Sequence, residues 1–280
     1  MHSPVLLQNV IKSLDIKDNG LYIDATVGEG GHLRGILSKN GKVLGLDIDK
    51  SQIQALSNQL KDYIERGQLI LEAENFANLA NIAKKNGFNQ IDGILIDLGL
   101  SFKQIIDSGK GLSYNKPNDL LDMRLNLNLK IKASDIVNKF TENELYELFS
   151  RNSEDINSRA IAENIVRSRN IKKIMTVGDL LDVIDKTLNI KDMRTYARIF
   201  QSLRMEVNNE LNNLKKVLID GTKLLKKGGK FLVITFHSIE DRVVKQFIKS
   251  SDLFNFQELI KGNALLSYEK SAKLRVFIKK

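Results

Sequence analysis

The stretch DATVGEGGH, from Asp24 to His32, constrains the fold of this 280-residue chain more than any other feature. It follows the apolar run LYI, has glycines at positions 28, 30 and 31, and precedes the segment LRGIL, which has helical character. A strand, a glycine-rich turn and a helix in that order are typical of ligand-binding α/β sheets, in which the turn and the helix N-terminus contact the ligand. The stretch therefore predicts a nucleotide-like ligand, whose identity depends on the rest of the chain.

Short apolar runs predict the strands of a parallel sheet: LYIDAT, KVLGLDI, QLILEA, IDGILIDLGL and KFLVITF. Segments with helical spacing, such as QIQALSNQLKDYI, alternate with them. Near the carboxyl end, FNFQELI and KLRVFIKK are expected to close the sheet as a hairpin-like pair. This alternation predicts an open, doubly wound α/β sheet.

The middle of the chain is poor in strand patterns and rich in helical ones. One helix should begin at Thr141, because Thr141 and Glu144 have the spacing of a capping box. We therefore expect a discontinuous α/β sheet domain, residues 1–105 and 206–280, with an all-helical domain of residues 106–205 inserted between its fourth and fifth strands.

Composition excludes several classes of protein. The chain has no cysteine, so a disulfide framework and a cysteine-ligated metal are both excluded. It has no apolar run of 18 residues and no signal-peptide pattern at its amino terminus, so we expect no membrane span and a cytoplasmic location. The histidines, His2, His32 and His237, are not spaced like a helical metal pair, so no metal is expected.

The formal net charge of +9 is concentrated at the carboxyl end, where residues 211–280 carry 15 Lys and Arg against 6 Asp and Glu. A basic surface is typical of a nucleic-acid partner, because neutralising phosphates releases counterions. A solvated lysine-rich surface explains the charge equally well, so both interpretations stay open.

The glycine turn does not match the dinucleotide pattern GxGxxG, since its third glycine is missing. Asp24 also precedes the glycines, where a carboxylate would repel a pyrophosphate. Asp47, at the end of KVLGLDI, is placed to accept hydrogen bonds from both hydroxyls of a ribose. Together these acids favour S-adenosylmethionine, whose amino-acid tail is cationic, over NAD.

Three further stretches carry candidate chemistry. Asp97 ends the fourth predicted strand and His237 follows the fifth, so both are expected at the carboxyl edge of the sheet, where such folds bind ligands. The motif LLDMR places Asp122 and Arg124 in the insertion, close to Lys110 of KGLSY. The structural alternatives are a strand-end cap for Asp97, a structural role for His237, and a surface ion pair for Asp122 and Arg124.

Taken together and in order, these stretches resemble one family, the bacterial 16S ribosomal RNA cytosine-N4 methyltransferases (RsmH, also called MraW). The resemblance covers most of the chain and rests on these motifs: HSPVLL, YIDATVGEGGH, GLDID, DGILIDLGLS, KGLSY, LLDMR, RAIAENIV, FQSLRMEVNNEL, FHSIEDRVVK and SAKLRV. It implies a class I (Rossmann-like) S-adenosylmethionine methyltransferase sheet with an inserted all-helical domain. It also implies methylation of the N4 amine of a cytidine in the decoding centre of 16S ribosomal RNA, within the small ribosomal subunit; whether the protein forms a homodimer is left open.

The resemblance also assigns residues to roles. The positions at which the family contacts S-adenosylmethionine correspond to Gly30, Gly31, His32, Asp47, Phe76, Asp97 and Gln104. Asp97 is then the first candidate catalytic residue, with His237 or Asp122 as proton acceptor or relay. The candidate RNA-binding residues are Lys110, Arg124, Arg198, Arg204 and Arg242. For Arg198 and Arg204, ion pairing with Glu206 or Glu210 is an equally good interpretation.

The chain departs from the family pattern at Phe102, Lys103 and Lys110, the last of which replaces an arginine and loses its bidentate geometry. These changes bear on the loop over the active site and on RNA contact, and they leave the donor motif intact. Two other functions compete with methyl transfer: a catalytically silent RNA-binding assembly factor and an NAD-dependent oxidoreductase. The intact donor motif disfavours the first, and the missing glycine with Asp24 disfavours the second.

Overall fold

The computed structural model describes residues 4–100, 105, 109–263, 266 and 269–280. Gln104, predicted to contact the donor, lies outside the described residues, as do Phe102 and Lys103. Within the described ranges, none of the helices has the length and apolar content that crossing a bilayer would require.

The strands of the sheet are β1 (Leu21–Asp24), β2 (Lys42–Asp47), β3 (Leu69–Ala73), β4 (Ile91–Asp97), β5 (Leu225–Thr235), β6 (Phe254–Lys261) and β7 (Lys273–Lys279). They lie in the order β3-β2-β1-β4-β5-β7-β6. The first five pair in parallel, whereas β7 pairs antiparallel with both β5 and β6. The predicted hairpin-like pair at the carboxyl end is therefore confirmed.

The α-helices of the described residues are α1 (Leu7–Leu14), α2 (Gly31–Leu37), α3 (Lys50–Gln59), α4 (Lys61–Glu65), α5 (Leu79–Lys85), α6 (Ala133–Lys139), α7 (Glu142–Ser153), α8 (Ser158–Ile171), α9 (Val177–Leu188), α10 (Met193–Val207), α11 (Glu210–Leu224) and α12 (Ser238–Ser250). A short 3₁₀ helix, Phe76–Asn78, follows β3. Contacts divide the chain into a sheet unit, residues 1–99 and 211–280, and a helical unit, residues 100–210.

The sheet unit buries both faces of its central strands, as the apolar runs predicted. Successive side chains of a strand point to opposite faces. In β4, Ile94 and Ile96 lie in the layer formed with α5, α11 and α12, while Leu95 lies in the layer formed with α1, α2 and α3. The three side chains are fully buried, which explains why β4 reads as a continuous apolar run rather than an alternating one.

The helical unit has its own apolar core, built from the inward faces of α6 to α10. The predicted capping box is present, since the Thr141 hydroxyl accepts from the Glu144 N–H and the Glu144 carboxylate accepts from the Thr141 N–H. Thr176 and Asp179 form a second box at the start of α9. The predicted all-helical insertion between the fourth and fifth strands is therefore confirmed.

A buried ion pair connects α12 to β7. Arg275 on β7 donates to both carboxylate oxygens of Asp241, with Nε–Oδ1 at 2.6 Å and Nη2–Oδ2 at 3.2 Å. Lys273 donates to the same carboxylate at 3.2 Å. Burial acts to raise the pKa of Asp241, but the hydrogen bonds and charges of Arg275 and Lys273 outweigh it and hold the pKa below its usual value.

Replacing Asp241 with alanine should destabilise the sheet unit, because it leaves the buried Arg275 guanidinium without its carboxylate. We expect Asp241→Ala to lower the free energy of unfolding by about 3 kcal/mol, measured by urea denaturation at neutral pH. Asp252→Ala, at an exposed position just beyond the same helix, is the control and should stay within about 0.5 kcal/mol of wild type. Equal losses in both variants would show that the ion pair does not stabilise the fold.

Candidate active site

The parallel strands bring their carboxyl ends to one edge of the sheet, and the candidate site is built there. β1 pairs with β4, and β4 pairs with β5 in a register that sets Asp97 opposite Ile234. Asp24 ends β1, Asp97 ends β4, and His237 lies two residues beyond the end of β5. The sheet unit therefore brings these three predicted side chains to the same edge.

The glycine turn between β1 and α2 is held closely by its neighbours. Gly30 has φ +82°, and a Cβ there would lie 2.6 Å from Leu56 Cδ2. A Cβ on Gly31 would lie 2.2 Å from Pro4 Cγ. Both glycines are thus required by packing, independently of any ligand, and the turn is fixed between α3 and the amino-terminal segment.

The amino-terminal segment is itself fixed to the far end of the chain. The buried Glu269, in the connection between β6 and β7, accepts from the Leu6 N–H at 2.9 Å and from the Asn263 N–H at 3.2 Å. Leu6 has φ +53°, in the left-handed region that a leucine seldom adopts. The carboxylate of Glu269 therefore holds the segment that packs against Gly31.

Asp47 ties the glycine turn to β2. Its Oδ2 accepts from the Gly28 N–H and its Oδ1 accepts from the Asp49 N–H, both at 2.9 Å. Burial raises the pKa of Asp47 even though these backbone hydrogen bonds favour the ionised form. Each carboxylate oxygen can accept more than one hydrogen bond, so both remain able to accept from the hydroxyls of a ribose.

Asp24, His32 and Asp97 form a cluster of buried polar groups beside the turn. His32 Nε2 lies 3.6 Å from Asp97 Oδ2, beyond hydrogen-bond distance. Burial raises the pKa of Asp24 to about 6, opposed chiefly by the charge of His32. Among the described residues, Asp24 Oδ2, both ring nitrogens of His32 and Asp97 Oδ1 are buried without a hydrogen-bond partner.

Unpartnered buried polar atoms are costly unless a ligand satisfies them, so this cluster marks a binding site. Its acceptors suit a ligand that carries positive charge and N–H or O–H donors. Asp97 is placed by a hydrogen bond from its own N–H to the Thr26 hydroxyl at 2.7 Å. Thr26 is a positioning residue that the motif reading did not single out, although it lies within the quoted stretch DATVGEGGH.

Phe76 lies at the same edge, on the side of Asp47 that faces away from Asp24. β2 pairs with β3 so that Asp47 is opposite Ala73, and the 3₁₀ helix that contains Phe76 begins three residues later. Asn75 caps this helix by accepting from the Ala77 N–H at 2.8 Å. Phe76 is half-buried against the core, so part of its ring faces the edge.

His237 caps helix α12. Its Nδ1 accepts from the Glu240 N–H at 3.4 Å, and Glu240 Oε2 accepts from the Phe236 N–H at 3.0 Å. Nε2 lies 2.9 Å from Glu240 Oε1, but the pair is not aligned for a hydrogen bond. The structural alternative for His237 therefore has direct support, and only Nε2 remains for proton transfer.

Asp122 and Arg124 belong to the helical unit, where they pair with each other. Arg124 Nε and Nη2 donate to the two oxygens of Asp122 at 2.7 and 2.9 Å, and Nη1 donates to the Leu129 carbonyl at 2.8 Å. Although burial acts to raise it, hydrogen bonds from Arg124 hold the pKa of Asp122 below its usual value. Such a carboxylate is a weak base, and the guanidinium already has internal partners.

The other RNA candidates differ in their surroundings. Arg204 donates to both oxygens of Glu210 at 2.8 and 2.9 Å, as the alternative interpretation expected. Arg198, whose side chain is 52% exposed, lies 3.4 Å from the buried Asp155 rather than from either predicted glutamate. Lys110 is half-buried and Arg242 is exposed. Contact of these residues with RNA stays a prediction.

Comparison with known proteins decides the family. The model of the MraW methylase family matches residues 1–280, which is the whole chain. The chain belongs to this family. The sequence resemblance is thereby confirmed, and with it the prediction of an S-adenosylmethionine-dependent methyltransferase.

Relatives within the MraW methylase family are similar over most of their length. The chain is 41% identical over 251 residues to ribosomal RNA small subunit methyltransferase H of Acetivibrio thermocellus, covering 87% of this chain and 80% of the relative. It is 39% identical over 253 residues to the protein of the same name from Dictyoglomus thermophilum, covering 89% and 84%.

A solved structure from Clostridium thermocellum, described provisionally as an rRNA methylase, superposes with a TM-score of 0.51 at 13% identity, with complete coverage of both chains. At this identity the likeness concerns the fold alone.

The raised pKa of Asp24 predicts how stability should depend on pH. The folded protein holds a proton on Asp24 up to about pH 6, whereas the unfolded chain loses it near 3.8, so the contribution of Asp24 to wild-type stability should fall as pH rises through this window. Asp24→Asn removes the titration, so its stability relative to wild type should increase from pH 4 to pH 7 by up to about 3 kcal/mol.

The measurement is urea denaturation of both proteins across this pH range, with Asp62→Asn at an exposed position as the control. A difference between Asp24→Asn and wild type that does not change with pH would contradict a buried, protonated Asp24.

Proposed function

We propose that this protein transfers the methyl group of S-adenosylmethionine to the exocyclic N4 amine of a cytidine in the decoding centre of 16S ribosomal RNA. The observation that carries the proposal is the match to the MraW methylase family over residues 1–280, with relatives named ribosomal RNA small subunit methyltransferase H at about 40% identity. The partner is then the small ribosomal subunit or its RNA, and the site of action is the cytoplasm. A homodimer stays a prediction.

The donor site consists of side chains at the carboxyl edge. Residues proposed to hold S-adenosylmethionine are Gly30, Gly31, His32, Asp47, Phe76, Asp97 and, outside the described residues, Gln104. When bound, this donor supplies an electrophilic methyl group on a sulfonium centre. The buried carboxylate of Asp24 and the partly buried carboxylate of Asp97 match its positive charges. The oxygens of Asp47 match the ribose hydroxyls, and the ring of Phe76 offers an apolar surface to the adenine.

The acceptor amine is a poor nucleophile, because its lone pair is delocalised into the cytosine ring. The protein must therefore accept hydrogen bonds from the amine and orient its lone pair toward the methyl carbon, at about 3–3.5 Å. Asp97 Oδ1 is the best placed acceptor, since it is buried at the sheet edge without a partner among the described residues.

His237 and Asp122 are weaker candidates for the proton. His237 uses Nδ1 as a helix cap, so it could take a proton only through Nε2. Asp122 is held ionised by Arg124 and has a lowered pKa, which makes it a poor base. We therefore assign the acceptor role to Asp97 and propose that the target base is extruded from the RNA to reach it.

Asp97→Asn tests this role. The amide keeps the size of the side chain but removes its charge and half of its acceptor capacity, so kcat for methyl transfer to small-subunit RNA should fall by about 100-fold or more. Asp92→Asn is the matched control, because Asp92 lies on the same strand at the opposite edge and pairs with Lys226 there. Full turnover by Asp97→Asn, with donor affinity unchanged in isothermal titration, would exclude a catalytic role.

The modified nucleotide is tested in cells. Mass spectrometry of small-subunit ribosomal RNA from cells that lack this protein should show the loss of one N4-methylcytidine, restored by wild type and not by Asp97→Asn. An unchanged set of modifications would overturn the proposed function.

A further inference from the structure

A second feature of the carboxyl edge is a cavity beyond the donor site, which we call the lysine cleft. It has a volume of 280 Å³ and is lined by Phe236, His237, Ser238, Lys261, Lys270, Ser271, Ala272 and Lys273. All of these residues belong to the sheet unit. Its three lysines belong to the basic carboxyl-terminal region, residues 211–280, but none of them is named individually among the RNA-binding residues that the sequence predicted.

The cleft is positively charged. Lys261 and Lys270 are exposed, and within the described part of the chain neither has a carboxylate within ion-pair distance. Lys273 donates to Asp241, but that carboxylate also receives two hydrogen bonds from Arg275, so the cations outnumber it. The side chain of Glu269 accepts from two backbone N–H groups instead of from a lysine.

The lysines of the cleft differ from those on the outer helices. Lys216 lies 2.9 Å from Asp220 on α11 and Lys139 lies 2.7 Å from Asp135 on α6, each one helical turn away. Those pairs are ordinary features of a solvated surface. Lys261 and Lys270 instead line a concavity and have no such partner among the residues that the structure describes, which favours an external anion over simple solvation.

The backbone adds to the positive potential of the cleft. Helix α12, 13 residues long, begins at Ser238 on the wall of the cleft, so the positive end of its dipole points to the same space. The hydroxyl group of Ser271 lies beside it and can donate to an oxygen anion. Lysines, hydroxyls and a helix N-terminus are the donors that phosphate oxygens accept from in protein–RNA complexes.

The register of the sheet fixes how far the cleft lies from the reacting centre. Lys273 is opposite both Thr235 of β5 and Lys261 of β6, and Ile234 is opposite Asp97. The backbone of Lys273 is therefore two strand spacings from Asp97, or about 10 Å, and that of Lys261 is three, or about 14 Å. These distances suit a phosphate that flanks a nucleotide whose base has been extruded toward Asp97.

We propose that the lysine cleft binds a backbone phosphate of the substrate RNA, next to the nucleotide that is methylated. Lys261 and Lys270 neutralise the phosphate, the start of α12 contributes N–H donors, and Ser271 contributes a hydroxyl donor. This inference rests on the proposed function, because the phosphate is taken to belong to the RNA substrate. It assigns a binding role to the β6–β7 hairpin that the donor chemistry does not require.

The test compares two double variants with the same loss of charge. Lys261→Ala/Lys270→Ala removes the free cations of the cleft, and Lys227→Ala/Lys280→Ala removes two exposed lysines at the opposite edge of the sheet. Affinity for a single-stranded RNA oligonucleotide of the decoding-centre sequence is measured by fluorescence anisotropy from about 50 to 200 mM salt. Kinetics of methyl transfer and donor affinity are measured on the same proteins.

For the cleft variant, the slope of log K against log salt should become shallower by about 0.7, the value for one phosphate contact on a single strand. The defect relative to wild type should then shrink about 2.6-fold across that salt range. KM for RNA should rise, while kcat and the affinity for S-adenosylmethionine stay unchanged. The Lys227→Ala/Lys280→Ala control should keep the wild-type slope.

Equal slopes for the two double variants would overturn the phosphate site and leave the proposed function standing. So would saturable binding of inorganic phosphate that depends on Lys261 and Lys270 while the RNA slope is unchanged, because the cleft would then hold a free anion. If the wild-type protein transfers no methyl group to small-subunit RNA, the proposed function fails, and the salt slopes alone still decide whether the cleft binds RNA.

Discussion

The parallel pairing of β4 between β1 and β5 is the constraint on which the rest of the site depends. It aligns the carboxyl ends of three strands, so that residues more than 200 positions apart, such as Asp24 and His237, come to one edge. The fully buried Ile94, Leu95 and Ile96 fix that alignment from both faces of the sheet. Loops at this edge can then vary in sequence while the reacting groups keep their positions.

Burying charged groups at this edge without a full set of hydrogen-bond partners costs free energy. That cost marks the edge as a candidate ligand site. A carboxyl group such as Asp24, buried without a full set of partners, is destabilising in the ionised form, and its pKa rises accordingly. Asp47 avoids much of that cost by accepting from the backbone of the glycine turn and of the loop after β2. The edge therefore contains one acid that supports the turn and others whose acceptors remain available for a ligand.

Much of the fold was predictable because its signals are local. The apolar runs predicted the strands, the spacing of Thr141 and Glu144 predicted a helix start, and the family motifs predicted the donor residues. Partners that depend on through-space contact were not predictable: Pro4 against Gly31, and Arg275 with Asp241. For His237, a local signal did exist, since a glutamate three residues after a capping residue is a known helix-start pattern.

The hydrogen bond from Leu6 to Glu269 has a consequence for the order in which segments of the protein become fixed during synthesis. The segment that packs against the glycine turn is made before its anchor, because Glu269 lies 263 residues after Leu6. Strand β7, which joins the hairpin to β5, follows that anchor. The nascent chain can therefore form its parallel strands β1 to β5 first, but the glycine turn is fixed only after the chain up to Glu269 has left the ribosome.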